Sequence, residues 1–66
     1  MEREYITCLL DSVDQKWGMG VSIDIYEGNY LVVNDAGDVY EFSVTDEQLR
    51  QLKDDPSIEL ALKFKL

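Results

Sequence analysis

The sequence predicts a small α+β domain in which an antiparallel sheet of about five strands carries one helix, in the order β-β-β-β-α-β. Three observations lead there. Short stretches of alternating apolar and polar residues recur between turn-forming residues. A capping box stands at Thr45-Asp46-Glu47-Gln48. A 66-residue chain with 45% hydrophobic and 11% aromatic residues has enough apolar content to fold as a single domain, residues 1–66, in spite of its net charge.

The elements follow in order. Residues 4 to 13 are rich in β-formers and read as a first strand. Plain alternation puts Ile6, Cys8 and Leu10 on one face and Tyr5, Thr7 and Leu9 on the other. A loop with two glycines follows, Asp14 to Gly20. Residues 21 to 26 alternate cleanly, Val21, Ile23 and Ile25 against Ser22, Asp24 and Tyr26. Glu27-Gly28-Asn29 is a turn before a third strand, Tyr30 to Val33. Asn34-Asp35-Ala36-Gly37 is a second turn, because Asn and Gly tolerate the positive φ that tight hairpins need. Asp38 to Val44 form a fourth strand, with Tyr40, Phe42 and Val44 on one face.

At Thr45 the period changes. Its hydroxyl can accept from the Gln48 amide while the Gln48 side chain reaches back to Thr45, and Val44 and Leu49 occupy the positions of a hydrophobic staple. Asp46 and Glu47 suit the positive end of the helix dipole. The helix runs from about 46 to 54 with Leu49 and Leu52 inward, and Pro56 disfavours helical geometry at Asp55, which ends it. Ile58 to Leu66 then alternate without a break, Ile58, Leu60, Leu62, Phe64 and Leu66 against Glu59, Ala61, Lys63 and Lys65. That period of two predicts a last strand whose lysines discourage edge-to-edge association. A sheet with one face covered by the helix is the simplest architecture for this order; an SH3-like barrel is the alternative.

Size and composition exclude several function classes. A domain this short buries only about 60% of its unfolded surface, so pairing with a second copy is a common remedy. No apolar run reaches the roughly 18 residues of a membrane span, the first residues lack a secretory pattern, and one cysteine suits a reducing compartment. Cytoplasmic residence is the expectation. The chain has no histidine, which excludes Ser-His-Asp and Cys-His catalysis, and Cys8 on a strand reads as a buried, inert thiol. Asn34 to Asp38 lack the alternating ligands and closing glutamate of a calcium loop, and Gly18 and Gly20 lack phosphate-loop spacing. The expectation is a protein that is not an enzyme and holds no metal or cofactor.

Charge is the most uneven feature. The formal net charge is −8, from 14 acids and 6 bases. No Lys or Arg occurs between Lys16 and Arg50, where Asp24, Glu27, Asp35, Asp38, Glu41, Asp46 and Glu47 account for −7 of that total. Nucleic acid and anionic membranes would repel such a particle, whereas basic protein surfaces would attract it. Solubility alone is the other use of such acidity. Residues two apart on a strand face are about 6.6 Å apart, comparable to neighbouring phosphates on a nucleic-acid strand. These seven acids, with Tyr26 beside Asp24, are therefore the candidate partner-binding residues, and the expected partner is a basic DNA-binding protein. Trp17, Tyr5 and Tyr30 are further candidates for interface anchors, since Trp and Tyr dominate binding hot spots.

In size, composition and segregation of charge the chain resembles the small acidic DNA-mimic proteins with which phages block host DNA-binding proteins, restriction enzymes or histone-like proteins. No motif is shared, so no site residue transfers. The resemblance implies inhibition by occupying a nucleic-acid site, often as a dimer. The competing expectation is an adaptor or subunit that docks through a sheet edge or an aromatic patch.

Overall fold

A computed structural model describes residues 3–14 and 19–65. Four strands, β1 (Tyr5–Asp14), β2 (Met19–Tyr26), β3 (Tyr30–Asp35) and β4 (Asp38–Ser43), are followed by two helices, α1 (Asp46–Asp54) and α2 (Ile58–Lys63). The strands form an antiparallel meander in the order β1-β2-β3-β4. The class is α+β, as expected. The sheet has four strands rather than five and is open, with β1 and β4 as its edges, so neither the fifth strand nor the barrel alternative is present among the described residues.

Both turns on either side of β3 contain positive φ angles, and the second is shorter than expected, because Asn34 and Asp35 belong to β3 and the strained angle falls on Ala36 instead. Gly28 and Asn29 (φ 80° and 57°) link β2 to β3, and Ala36 and Gly37 (φ 53° and 103°) link β3 to β4. The Asn34 side chain accepts from the Gly37 amide at 3.1 Å, an Asx turn in place of a cation loop. The loop expected at Asp14–Gly20 is shorter at both ends, because Asp14 belongs to β1 and Met19 and Gly20 belong to β2; residues 15–18, Trp17 among them, lie outside the described residues.

The core lies on one face. Ile23, Ile25, Leu31, Val33, Val44, Leu52 and Ala61 are buried, and Leu9, Leu10, Tyr40, Phe42, Leu49, Ile58, Leu60, Leu62 and Phe64 pack against them. Each fully buried aliphatic side chain contributes about 1.5–3 kcal/mol. The alternation read for 21–26 and 38–44 is therefore correct. So is α1: the Thr45 hydroxyl accepts from the Gln48 amide at 3.1 Å, the Gln48 side chain accepts from the Thr45 amide at 3.0 Å, and the helix ends at Asp55 before Pro56.

Two expectations are corrected. In β1 the pairing with β2 shifts twice, between Tyr5 and Thr7 and between Cys8 and Leu10. Each irregularity flips the faces that plain alternation assigns. Cys8 pairs with the outward Asp24 while Leu10 pairs with the buried Ile23, so Leu9 and Leu10 both reach the core and Ile6 and Cys8 are exposed. The inert buried thiol is instead a surface thiol.

The second correction is larger. Residues 58–63 form a helix, not a strand. Ser57 caps it, its hydroxyl accepting from the Leu60 amide at 3.2 Å. Glu, Leu, Ala, Leu and Lys at 59–63 are all strong helix formers. Ala61, read as outward, is fully buried. Glu59 and Lys63, four apart, share the exposed side, and α2 lies against the central strands β2 and β3. Its apolar residues thus cover the middle of the sheet instead of lengthening an edge.

Candidate functional site: the uncovered face of the sheet

With both helices on one face, the other face of the meander is open. The register sets two rows across it. Tyr5, Tyr26, Tyr30 and Ser43 are successive partners in β1 to β4, and next to them Cys8, Asp24, Val32 and Glu41 are partners in the same way. An aromatic row therefore lies directly beside a row holding two carboxylates.

The two rows are tied together. The Tyr5 hydroxyl donates to Asp24 Oδ1 at 3.3 Å, and the Tyr30 hydroxyl donates to Glu41 Oε1 at 2.9 Å. The rings of Tyr5 and Tyr26 meet edge to face, with centroids 5.3 Å apart, a favoured geometry for two aromatic quadrupoles. The guanidinium of Arg3 lies over the Tyr30 ring, 4.1 Å from its centre. The hydrogen bond to Glu41 pushes the Tyr30 hydroxyl up from its ordinary pKa, with desolvation and the carboxylate's charge adding to it. Partial desolvation, followed by the Asp24 charge, raises Tyr5 in the same direction. Desolvation and Asp24 also raise the Cys8 thiol, whose Sγ donates to the Leu10 carbonyl at 3.2 Å. A thiol held protonated is a poor nucleophile.

The eight residues singled out from the sequence fall into three places. Asp24, Tyr26 and Glu41 stand on the open face, with Asp24 and Glu41 on either side of Val32. Their separation is two strand spacings, about 10 Å, not the spacing of residues two apart on one strand. Glu27, Asp46 and Glu47 are exposed at one end of the sheet. Asn29 organises that end: its side-chain amide donates to Asp46 Oδ1 at 2.6 Å and its carbonyl accepts from the Val44 amide at 3.0 Å. Asp35 and Asp38, paired across the β3–β4 hairpin, lie at the opposite end. The seven acids singled out from the sequence are thus divided among one face and two ends of the sheet.

Sequence reasoning missed Arg3. Nothing local marks it, because its contact is with a ring two strands away. The tyrosine row did have a signal: Tyr26 and Tyr30 flank a three-residue turn, which makes them cross-strand partners. Among the described residues no group of His, Cys, Asp and Glu is placed to hold a metal ion, and no helix is long and apolar enough to cross a membrane.

Fold and face together define a class: a small α+β protein with an open-faced antiparallel meander, backed by two helices and fronted by tyrosines and carboxylates. Compared with protein families, curated proteins and solved structures, the chain matches none.

Proposed function

We propose that the chain is a non-catalytic, acidic binding protein that occupies the basic surface of a nucleic-acid-binding protein in place of the nucleic acid. The observation that carries this reading is the pairing of Tyr5 with Asp24 and of Tyr30 with Glu41 on the open face. Each carboxylate is held in place by a hydroxyl, on a sheet that cannot rearrange cheaply, so little side-chain entropy is lost on docking. The net charge of −8 supplies long-range attraction to a cationic groove and fast, salt-sensitive association. Glu27, Asp46 and Glu47 extend the acidic surface at one end, and Tyr26 gives apolar contact at its centre.

A pull-down from bacterial lysate, eluted with rising salt, tests this. Nucleic-acid-binding proteins should leave at moderate salt and be displaced by added DNA. D24N/E41Q should lose most of that capture while keeping its fold, whereas D35N/D38N, at the far end of the sheet, should lose less. Capture that survives D24N/E41Q unchanged, or that DNA does not displace, overturns the reading.

An adaptor that docks through apolar contact is the second reading. It is favoured by the exposure of Tyr5, Ile6 and Val39, which are 51%, 58% and 56% accessible on the two edge strands. Its partner would resist salt and be lost on I6S or V39S rather than on neutralising the acids.

A further inference from the structure

The position of Arg3 says which basic side chain the open face accepts. Arg3 precedes β1, and the Glu4 carbonyl beside it accepts from the Glu27 amide at 2.9 Å, which pins the arm to the end of the sheet. From there the arginine crosses the β2–β3 turn, with Nε 3.9 Å from the position a Cβ would take at Gly28, and lays its guanidinium on Tyr30 at 4.1 Å. That distance is ordinary van der Waals contact, so the arginine lies directly against the turn backbone; it is the positive φ of 80° at residue 28 that favours glycine there.

Tyr30 suits this contact. A phenol that donates to a carboxylate carries extra electron density in its ring, so the hydrogen bond to Glu41 strengthens the attraction of the ring face for a cation. A guanidinium is planar and weakly hydrated and stacks flat on such a ring, whereas an ammonium is a compact, strongly hydrated charge. The Glu41 carboxylate adds a negative charge beside the ring.

We propose that this face recognises an arginine-bearing segment of a basic protein, whose guanidinium takes the place of Arg3 on Tyr30. The inference rests on the reading that the open face binds a basic partner, and it deepens that reading by naming the side chain. Arg3 is then a built-in competitor. It covers the ring in the free protein and leaves when the partner's arginine arrives, while Glu4 remains paired with Glu27. Loose basic surfaces, rich in lysine, do not displace it as well.

Titration with two synthetic peptides of equal length and charge, one arginine-rich and one lysine-rich, tests this by calorimetry. The unaltered protein should prefer the arginine peptide. Arg3→Gln should raise its affinity for the arginine peptide by about three- to fivefold, the size of one exposed cation–π contact, and for the lysine peptide by clearly less. Tyr30→Leu should abolish the preference. A readout on the unaltered protein does not depend on any variant folding: the Arg3 Nε resonance should move to its free-chain position as the arginine peptide is added. Equal gains for both peptides in Arg3→Gln would mean that only the field of a lost charge is at work, and would overturn the proposal. An unmoved Arg3 resonance, or no binding of either peptide, would also overturn it. Failure to capture nucleic-acid-binding proteins from lysate would sink the broader function while leaving an arginine preference standing, so the two failures are distinguishable.

Discussion

The Tyr30 hydroxyl donates to a carboxylate oxygen of Glu41 across the β3–β4 pair at 2.9 Å, diagonally from its own strand partner Ser43. Both residues are on the face the helices leave open, so the bond does not belong to the core. It fixes a negative charge beside an aromatic ring. A proton leaving Tyr30 would break the bond and place two anions together, which is why the hydroxyl holds its proton above the ordinary value of 10.0.

In an absorbance titration the Tyr30 phenolate should therefore form above pH 10.0. Glu41→Gln should bring it back toward that value, and Tyr30→Phe should delete this step from the curve. The linkage has a definite sign. Because the folded value is raised, the bond's contribution to stability is fully present below the unfolded pKa and fades as pH climbs through the folded one. Tyr5, beside Asp24, should behave alike. An unchanged titration in Glu41→Gln would deny the bond its role.

The capping box makes α1 sensitive at a single atom. Thr45→Ala should cost about 1 kcal/mol, within the usual 0.5–2 for a lost cap, read from the urea midpoint at constant m-value. Thr45→Ser should restore most of it. Ser57→Ala should show a comparable loss at α2, since the Ser57 hydroxyl serves the Leu60 amide in the same way.

Ala36 sits at φ 53°, where the Cβ of an ordinary residue is crowded at a cost of roughly 1–2 kcal/mol. Its neighbour Gly37, at φ 103°, has no such cost. Ala36→Asn creates the Asn-Gly pair that suits this two-residue hairpin and should stabilise the protein by recovering part of that roughly 1–2 kcal/mol, since Asn enters the left-handed region more readily. Gly37→Ala should destabilise it. Thermal melts of the two variants moving the same way would contradict the turn geometry.

Leu52→Ala should cost about 2–5 kcal/mol, because the α1 residue Leu52 is fully buried in the core cluster with Ile23, Leu31 and Val33; for a domain this small that is a large share of the total. Ala61→Leu should cost about 1–3 kcal/mol by overpacking, while Lys63→Ala stays within about 0.5 kcal/mol. If residues 58–66 were a strand, Ala61 and Lys63 would share its outward face and respond alike, so the contrast between them checks α2.

Where a signal is contained in a few neighbouring residues, it could be read directly. Thr45 and Gln48 serve each other within one turn, Pro56 stops the helix by its own ring, and the clean alternation of Val21 to Tyr26 leaves one way to face the core. The second helix shows how local signals can conflict. Ile58, Leu60, Leu62 and Phe64 fit a period of two, yet Ser57 as a cap, the pair Glu59 and Lys63, and the helix-forming run between them fit 3.6. Weighing propensity against period would have favoured the helix. What decided it is the need to cover Ile23, Ile25, Leu31 and Val33, which a strand added at an edge could not do.

By itself, then, the sequence determined the meander, both tight turns, the first helix with its cap, and a strongly acidic middle. Tertiary structure decided the rest. The two register shifts in β1 depend on how β2 accommodates it, and they alone turn Cys8 out and Leu9 in. The division of the seven acids among one face and two ends follows from strand pairing, which no i, i+2 count can see. Arg3 reaches Tyr30 only because the strands between them are folded side by side. Local chemistry fixes each element within a few residues; which side chains meet across elements is fixed by register, a property of the whole sheet.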